Sequence, residues 1–193
     1  MLEYSGAAVL QVLCALDLHK AYNSVNRTAM DAIASHLGLP GNGFWMLMTL
    51  ARDTGPVYIT GTLALSAPFY TTRGIKQGCP ASPLLFALLL TGLEKRLLCL
   101  HSTSLGHAGP APHALVSYAD DIKLFAQSAH GMQQLLAMVS YYVGHLGLSL
   151  DWEKTKVLFL RARAQPSSFT ALGKALKVVR ELKFLGTMVT AWG

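Results

Sequence analysis

Apolar runs and amphipathic stretches alternate unevenly along this chain. Ala7 to Leu16 is almost continuously apolar and stops at Asp17, the pattern of a strand buried on both faces. From about Ser24 to Leu37, Val25, Met30, Ile33, Ala34 and Leu37 fall on one helical face. Gly38-Leu39-Pro40-Gly41 breaks that pattern, and a second helix is expected from Asn42 to Asp53. Val57 to Thr60 and Ala67 to Thr71 flank Gly61 and polar residues, as in a hairpin. A loop holding Gly74, Gly78 and Pro80 leads into an apolar helix from Ser82 to about Leu100, with Ser82 as cap and Pro83 at the first helical position. Ser102 to His113, rich in Gly, Pro and Ser, reads as a surface loop. Two short apolar runs then enclose Asp120-Asp121, and Ala129 to Leu146 carries Met132, Leu135, Leu136, Val139 and Val143 at helical spacing. Val157 to Leu160 reads as a strand, Arg161 to Ser168 as a loop, and Val178-Val179 with Leu182 to Val189 as a last hairpin. This order predicts an α+β domain, a sheet with helices packed on one face, and no internal repeat.

Composition narrows the picture. The 193 residues are 52% hydrophobic and only 13% charged, enough for one large core with interface surface left over, as in a piece of a larger protein. A net charge of +6 suits a polyanionic partner but is equally that of an ordinary basic protein. Cys14, Cys79 and Cys99 are widely spaced and the histidines scattered, so neither zinc nor a disulfide framework is expected, and a reducing, intracellular setting is the default. Ala7 to Leu16 lacks a basic leader, and Leu84 to Leu93 is too short to span a bilayer before Glu94-Lys95-Arg96, so no membrane association is expected.

The chemistry concentrates at Asp120-Asp121. Neighbouring side chains on a strand point to opposite faces, so a plain strand would bury one of these charges. A tight turn presents both at its tip instead. Two acids about 3–4 Å apart repel, and a divalent cation is the usual remedy, provided a third oxygen ligand lies elsewhere. Asp17, ending the first apolar strand, is a candidate for that ligand and equally for the cap of a following helix. Three carboxylates together would suit two Mg²⁺ ions and in-line phosphoryl transfer.

The blocks Leu16-Asp17-Leu18-His19-Lys20-Ala21-Tyr22-Asn23-Ser24-Val25, Gly74-Ile75-Lys76-Gln77-Gly78-Cys79-Pro80-Ala81-Ser82-Pro83-Leu84-Leu85-Phe86 and Tyr118-Ala119-Asp120-Asp121 resemble motifs A, B and C of reverse transcriptases, in particular those of LINE-type, non-LTR retrotransposons. Gly147-Leu148 with Lys154-Thr155 is similar to motif D, and Lys183-Phe184-Leu185-Gly186 to motif E. The order matches as well as the words, over about residues 7 to 190.

The resemblance implies a polymerase palm with an antiparallel sheet, acting as an RNA-directed DNA polymerase that adds dNTPs to a DNA primer on an RNA template. Asp17, Asp120 and Asp121 would hold two Mg²⁺ ions (Mn²⁺ as substitute), with the Leu18 carbonyl as a further ligand. Tyr22 would be the steric gate against a ribose 2′-hydroxyl, and Gln77 and Gly78 would line the nucleotide and template side. Lys154 would neutralise or protonate the departing pyrophosphate, with Lys156 as a competitor; Phe184, Leu185 and Gly186 would grip the primer end. Arg73, Lys76, Lys123 and Arg161 are candidates for phosphate contacts. Asn23 stands where the family commonly has an acid, and Ala81 where leucine is more frequent. The resemblance further implies that residues 1–193 are a palm fragment, with fingers largely missing before residue 7 and thumb missing after residue 190, inactive alone and nuclear in a eukaryotic element, otherwise cytoplasmic. Two alternatives share the motifs: a catalytically silent relic or nucleic-acid-binding scaffold, and a group II intron maturase or retron-type enzyme.

Overall fold

The computed structural model describes residues 11–39, 41–52, 55–61, 64–104, 115–118, 120–160, 166–184 and 186–191, with side chains not described at 98–104. Thirteen elements are described. β1 (Gln11–Leu16) lies at the centre of a six-stranded sheet of order β2-β3-β1-β4-β6-β5, with β2 at Leu115–Tyr118, β3 at Asp121–Ala126, β4 at Lys156–Leu160, β5 at Phe169–Ala171 and β6 at Lys174–Val178. Every pairing is antiparallel except β4 with β6. β7 (Glu181–Phe184) and β8 (Thr187–Thr190) form a separate hairpin.

Both faces of β1 are covered, which is why its sequence lacks a polar alternation. Val12, Cys14 and Leu16 pair across with Ala126, Leu124 and Ile122, and this face packs under the helices. α4 (Ser82–Ser104) supplies Leu85, Phe86, Leu89, Leu90, Leu93 and Leu97; α5 (Ala129–His145) supplies Met132, Leu136, Val139 and Val143. Leu13 on the opposite face joins Leu158, Leu182 and Ala191, so the β7–β8 hairpin closes the side that the helices leave open. Burial of the Cys14 thiol pushes its pKa up to about 12, making it a core residue with no nucleophilic use.

Several boundaries differ from the sequence expectation. The helix expected over 24–37 starts later, as α2 (Arg27–His36), because the Asn26 side chain accepts hydrogen bonds from the Thr28 and Ala29 amides and caps its start; a separate short helix, α1 (Ala21–Ser24), precedes it. α3 spans Gly41–Ala51, ending short of Asp53, which lies outside the described residues. The hairpin expected over 57–71 is reduced to the bridges Val57 with Phe69 and Thr60 with Leu65. α4 runs on to Ser104, past the expected loop start at Ser102; residues 105–113 of that loop and residues 161–165 of the next lie outside the described residues. The β5–β6 hairpin was not expected at all, although Leu172 and Gly173, with φ of 50° and 72°, form the doubly left-handed turn that such hairpins use. Among the described residues no helix is long and apolar enough to cross a membrane.

Candidate active site

β1 and β3 bring the acids together through backbone pairing. Their register runs from Val12–Ala126 to Leu16–Ile122; Asp17 directly follows, and Asp121 directly precedes, the residues of that last pair. Tyr118 pairs with Asp121, and Asp120 stands exposed between β2 and β3. Residue 119 lies outside the described residues. The plain-strand conflict is thus resolved as expected: Asp120 lies between the two strands and Asp121 opens β3.

After β1 the chain turns sharply through Lys20 (φ 46°) into α1, which sets Tyr22 beside α4. The Tyr22 ring stacks on Phe86 at 5.2 Å between centroids. Partial burial raises the Tyr22 hydroxyl above its ordinary pKa, helped by the nearby charge of Asp120. The segment before α4 is zipped to α1: the Gly74 amide donates to the Val25 carbonyl at 2.9 Å and the Ile75 amide to the Tyr22 carbonyl at 2.8 Å. Arg27 reinforces this, donating from Nε to the Gly74 carbonyl and from Nη1 to the Thr71 carbonyl, each at 2.8 Å. Ser82, expected as the cap of α4, lies within its first turn, and its hydroxyl donates to the Lys76 carbonyl at 2.6 Å, closing the loop that carries Gln77 and Gly78. Tyr22, Gln77, Gly78, Pro83 and Asp120 therefore line one open cleft of about 470 Å³.

The segment after α5 docks beneath Asp17. The His19 amide donates to the Ser149 carbonyl and the Asp151 amide to the Asp17 carbonyl, both at 2.9 Å, and Leu18 bridges to Leu150. Lys154 thereby sits 3.4 Å from an Asp17 carboxylate oxygen and 3.2 Å from one of Asp151. Its pKa is raised, first by the hydrogen bond with Asp151 and then by Asp17, while the same hydrogen bond holds the Asp151 carboxyl below its usual range. Asp151 was not singled out in the sequence; the i, i+3 spacing to Lys154 was the available signal. In Asp151→Asn, the Lys154 ammonium is expected to titrate at lower pH than in the wild type, which NMR of the labelled side chain measures.

Lys123 corrects its sequence assignment. It faces the same side of β3 as Asp121, is 3% exposed, and forms an ion pair with the Asp121 carboxylate, so it is no phosphate contact. Its ammonium also lies 5.5 Å from the centre of the Phe184 ring, on β7. Gly186, with φ 87°, completes the β7–β8 turn; Leu185 lies outside the described residues, as does Arg161. Arg73 and Lys76 remain exposed beside the cleft-lining loop.

These donors suit a hard divalent cation in chemistry and backbone placement: three carboxylates and the Leu18 carbonyl, at the ends of two paired strands. The side chains do not converge on one point, however. Among the described residues no three acidic, histidine or cysteine side chains form a metal-holding group; Asp17 pairs with Lys154 and Asp121 with Lys123.

Residues 6–189 match the family model described as reverse transcriptase (RNA-dependent DNA polymerase). The chain belongs to the reverse transcriptase family. It is 28% identical over 188 residues to the retrovirus-related Pol polyprotein from the type-2 retrotransposable element R2DM of Drosophila melanogaster, an alignment covering 92% of this chain and 17% of that protein. It is 27% identical over 179 residues to the retron Mx65 reverse transcriptase of Myxococcus xanthus, covering 89% of this chain and 38% of that one. The chain thus spans well under half the length of these relatives. The fold is that of a solved telomerase from Candida tropicalis in complex with a fragment of telomeric RNA, with TM-score 0.68, 12% identity, and coverage of 98% of this chain and 30% of that one. Reverse transcriptases generally use divalent metals, and the likeness to retrotransposon Pol proteins matches the LINE-type resemblance of the motifs.

Proposed function

We propose that this chain is the palm of an RNA-directed DNA polymerase from a LINE-like retroelement, working within a longer polyprotein and adding dNTPs to the 3′-hydroxyl of a DNA primer on an RNA template. The observation that carries this reading is the convergence of three sequence-distant segments, with Tyr22, Gln77, Gly78 and Asp120 lining one cleft, and Asp17 and Asp121 adjoining the last β1–β3 pair, Leu16–Ile122. Asp17, Asp120, Asp121 and the Leu18 carbonyl would hold two Mg²⁺ ions, or Mn²⁺ in their place. Those ions would supply activation of the primer hydroxyl and charge stabilisation at the leaving pyrophosphate.

The remaining work belongs to the chain's own side chains. Tyr22, braced by Phe86, forms a rigid wall where the sugar of an incoming nucleotide would lie. Gln77 is exposed at the cleft and can both donate and accept toward a base or its template partner. Lys154, 70% exposed, is free to swing from Asp17 to a phosphate and carries its proton there, since its neighbours keep it charged. The motif E turn between Phe184 and Thr187 would meet the primer strand.

The reading is tested at Tyr22 within the complete parent polyprotein. Tyr22→Ala is expected to raise ribonucleotide incorporation relative to deoxyribonucleotide by about tenfold or more, since a pocket rejects an added group only through a steric wall. An unchanged preference in primer extension, with deoxyribonucleotide addition intact, would remove Tyr22 from the gate.

A further inference from the structure

A lysine inside a sheet-and-hairpin interface calls for an explanation. Burying an ammonium is costly unless it is paired, and a hydrophobic residue of similar length is usually no worse for stability. Lys123 stands in register with Ala15 and Val116, on the face covered by the β7–β8 hairpin, and its side chain is 4% exposed. Among the described residues its ammonium pairs with the Asp121 carboxylate and lies over the face of the Phe184 ring. The contrast with Lys154 is instructive. Lys154 also pairs with one of the three acids but is 70% exposed and can leave; Lys123 cannot withdraw without opening the hairpin from the sheet.

We propose that Lys123 is a built-in counter-ion for Asp121 that lowers the affinity of Asp17, Asp120 and Asp121 for divalent cations. This rests on reading Asp121 as a metal ligand. A fixed positive charge on that carboxylate repels an arriving cation and offsets one of the negative charges that would attract it. Asp17 and Asp120 then carry most of the metal's attraction. Asp120 is exposed at the turn, and Asp17 is held by a lysine that can move away. The arrangement makes productive metal binding depend on additional ligands, such as the phosphates of a bound nucleotide, more than a bare triad would.

Mn²⁺ binding to the 193-residue chain, followed by the paramagnetic resonance of the free ion, reads this directly, with thermal melts in parallel. Lys123→Met, which keeps the side-chain volume, is expected to bind Mn²⁺ about tenfold or more tightly than wild type, while Lys123→Arg keeps the wild-type affinity. Adding Asp121→Asn to the Lys123→Met chain should erase the gain. If Lys123→Met leaves the affinity unchanged or weaker while Asp17→Asn still reduces it, the counter-ion proposal falls and the metal reading stands. If neither Asp17→Asn nor Asp120→Asn alters Mn²⁺ binding, the metal reading fails and takes this proposal with it. Should the melt show Lys123→Met unfolded, Lys123→Gln, which keeps a polar head without the charge, is read by the same criteria.

Discussion

Primer extension by the complete parent polyprotein is expected to fall by at least about a thousandfold when Asp120 is replaced by Asn, because one anionic ligand is lost at the point where transition-state charge develops. Asp120 is the cleanest of the three acids to test. It is exposed between β2 and β3 and has no ion-pair partner among the described residues, so the isosteric amide should leave the fold and its melting temperature unchanged. Asp121→Asn should lose as much activity but answers a mixed question. It strands the Lys123 ammonium in its buried site, with an expected further cost of about 1–3 kcal/mol of stability, limited because the Asp121 side chain is 42% exposed. A single-turnover assay paired with a thermal melt separates the two effects. Full activity in Asp120→Asn would end the assignment of this turn as the catalytic centre.

The largest effect on stability is expected at Gly74. Its φ of 85° lies in the left-handed region, and a Cβ built there would meet the Asn23 carbonyl oxygen at 2.8 Å and the Asn23 Cα and Tyr22 carbonyl oxygen at 2.9 Å. All three are backbone atoms, so no rotamer change relieves the clash. The two backbone bonds from residues 74 and 75 to α1 and the Arg27 bond to the Gly74 carbonyl hold the segments at that spacing. Gly74→Ala should therefore cost about 3–4 kcal/mol, which for a domain of this size lowers the melting temperature by roughly 8–15 °C. Gly78 provides the control: its φ is 81°, yet nothing lies within 4 Å of its added Cβ. Gly78→Ala should cost only about 1 kcal/mol, the conformational part alone. Equal melting shifts for the two variants would show that the close approach of Gly74 to α1 contributes nothing.

Much of the fold was legible because its signals are local. β1, α5, the strand–turn–strand at Asp120-Asp121 and the last hairpin announce themselves through apolar period and turn residues. The start of α2 was placed too early because Asn26 reads equally as a mid-helix residue until its side chain is seen to accept from two amides. The β5–β6 hairpin was missed because Leu172 occupies a left-handed turn position usually given to Asn, Asp or Gly. At the site, Asp120, Asp121 and Asp17 stood out as acids on apolar strands and Tyr22, Gln77 and Gly78 through the motifs, whereas Asp151 and the pairing of Lys123 did not. Lys123 looked like one more cation in a basic chain, since its period-2 relation to Asp121 matters only once that face of β3 is covered.

By itself, then, the sequence determined the class of protein, the order of its elements and the identity of the residues that carry charge, because apolar period, turn chemistry and short motifs are properties of neighbours along the chain. Only the tertiary structure decided what those charges face. Strand pairing of Leu16 with Ile122 brought the neighbouring Asp17 and Asp121 to the same end of the sheet, the hairpin of β7 and β8 closed over Lys123, and the docked segment after α5 carried Lys154 to Asp17. Each of these depends on contacts between residues distant in sequence, where the cost of burying a charge is settled by the partner it meets.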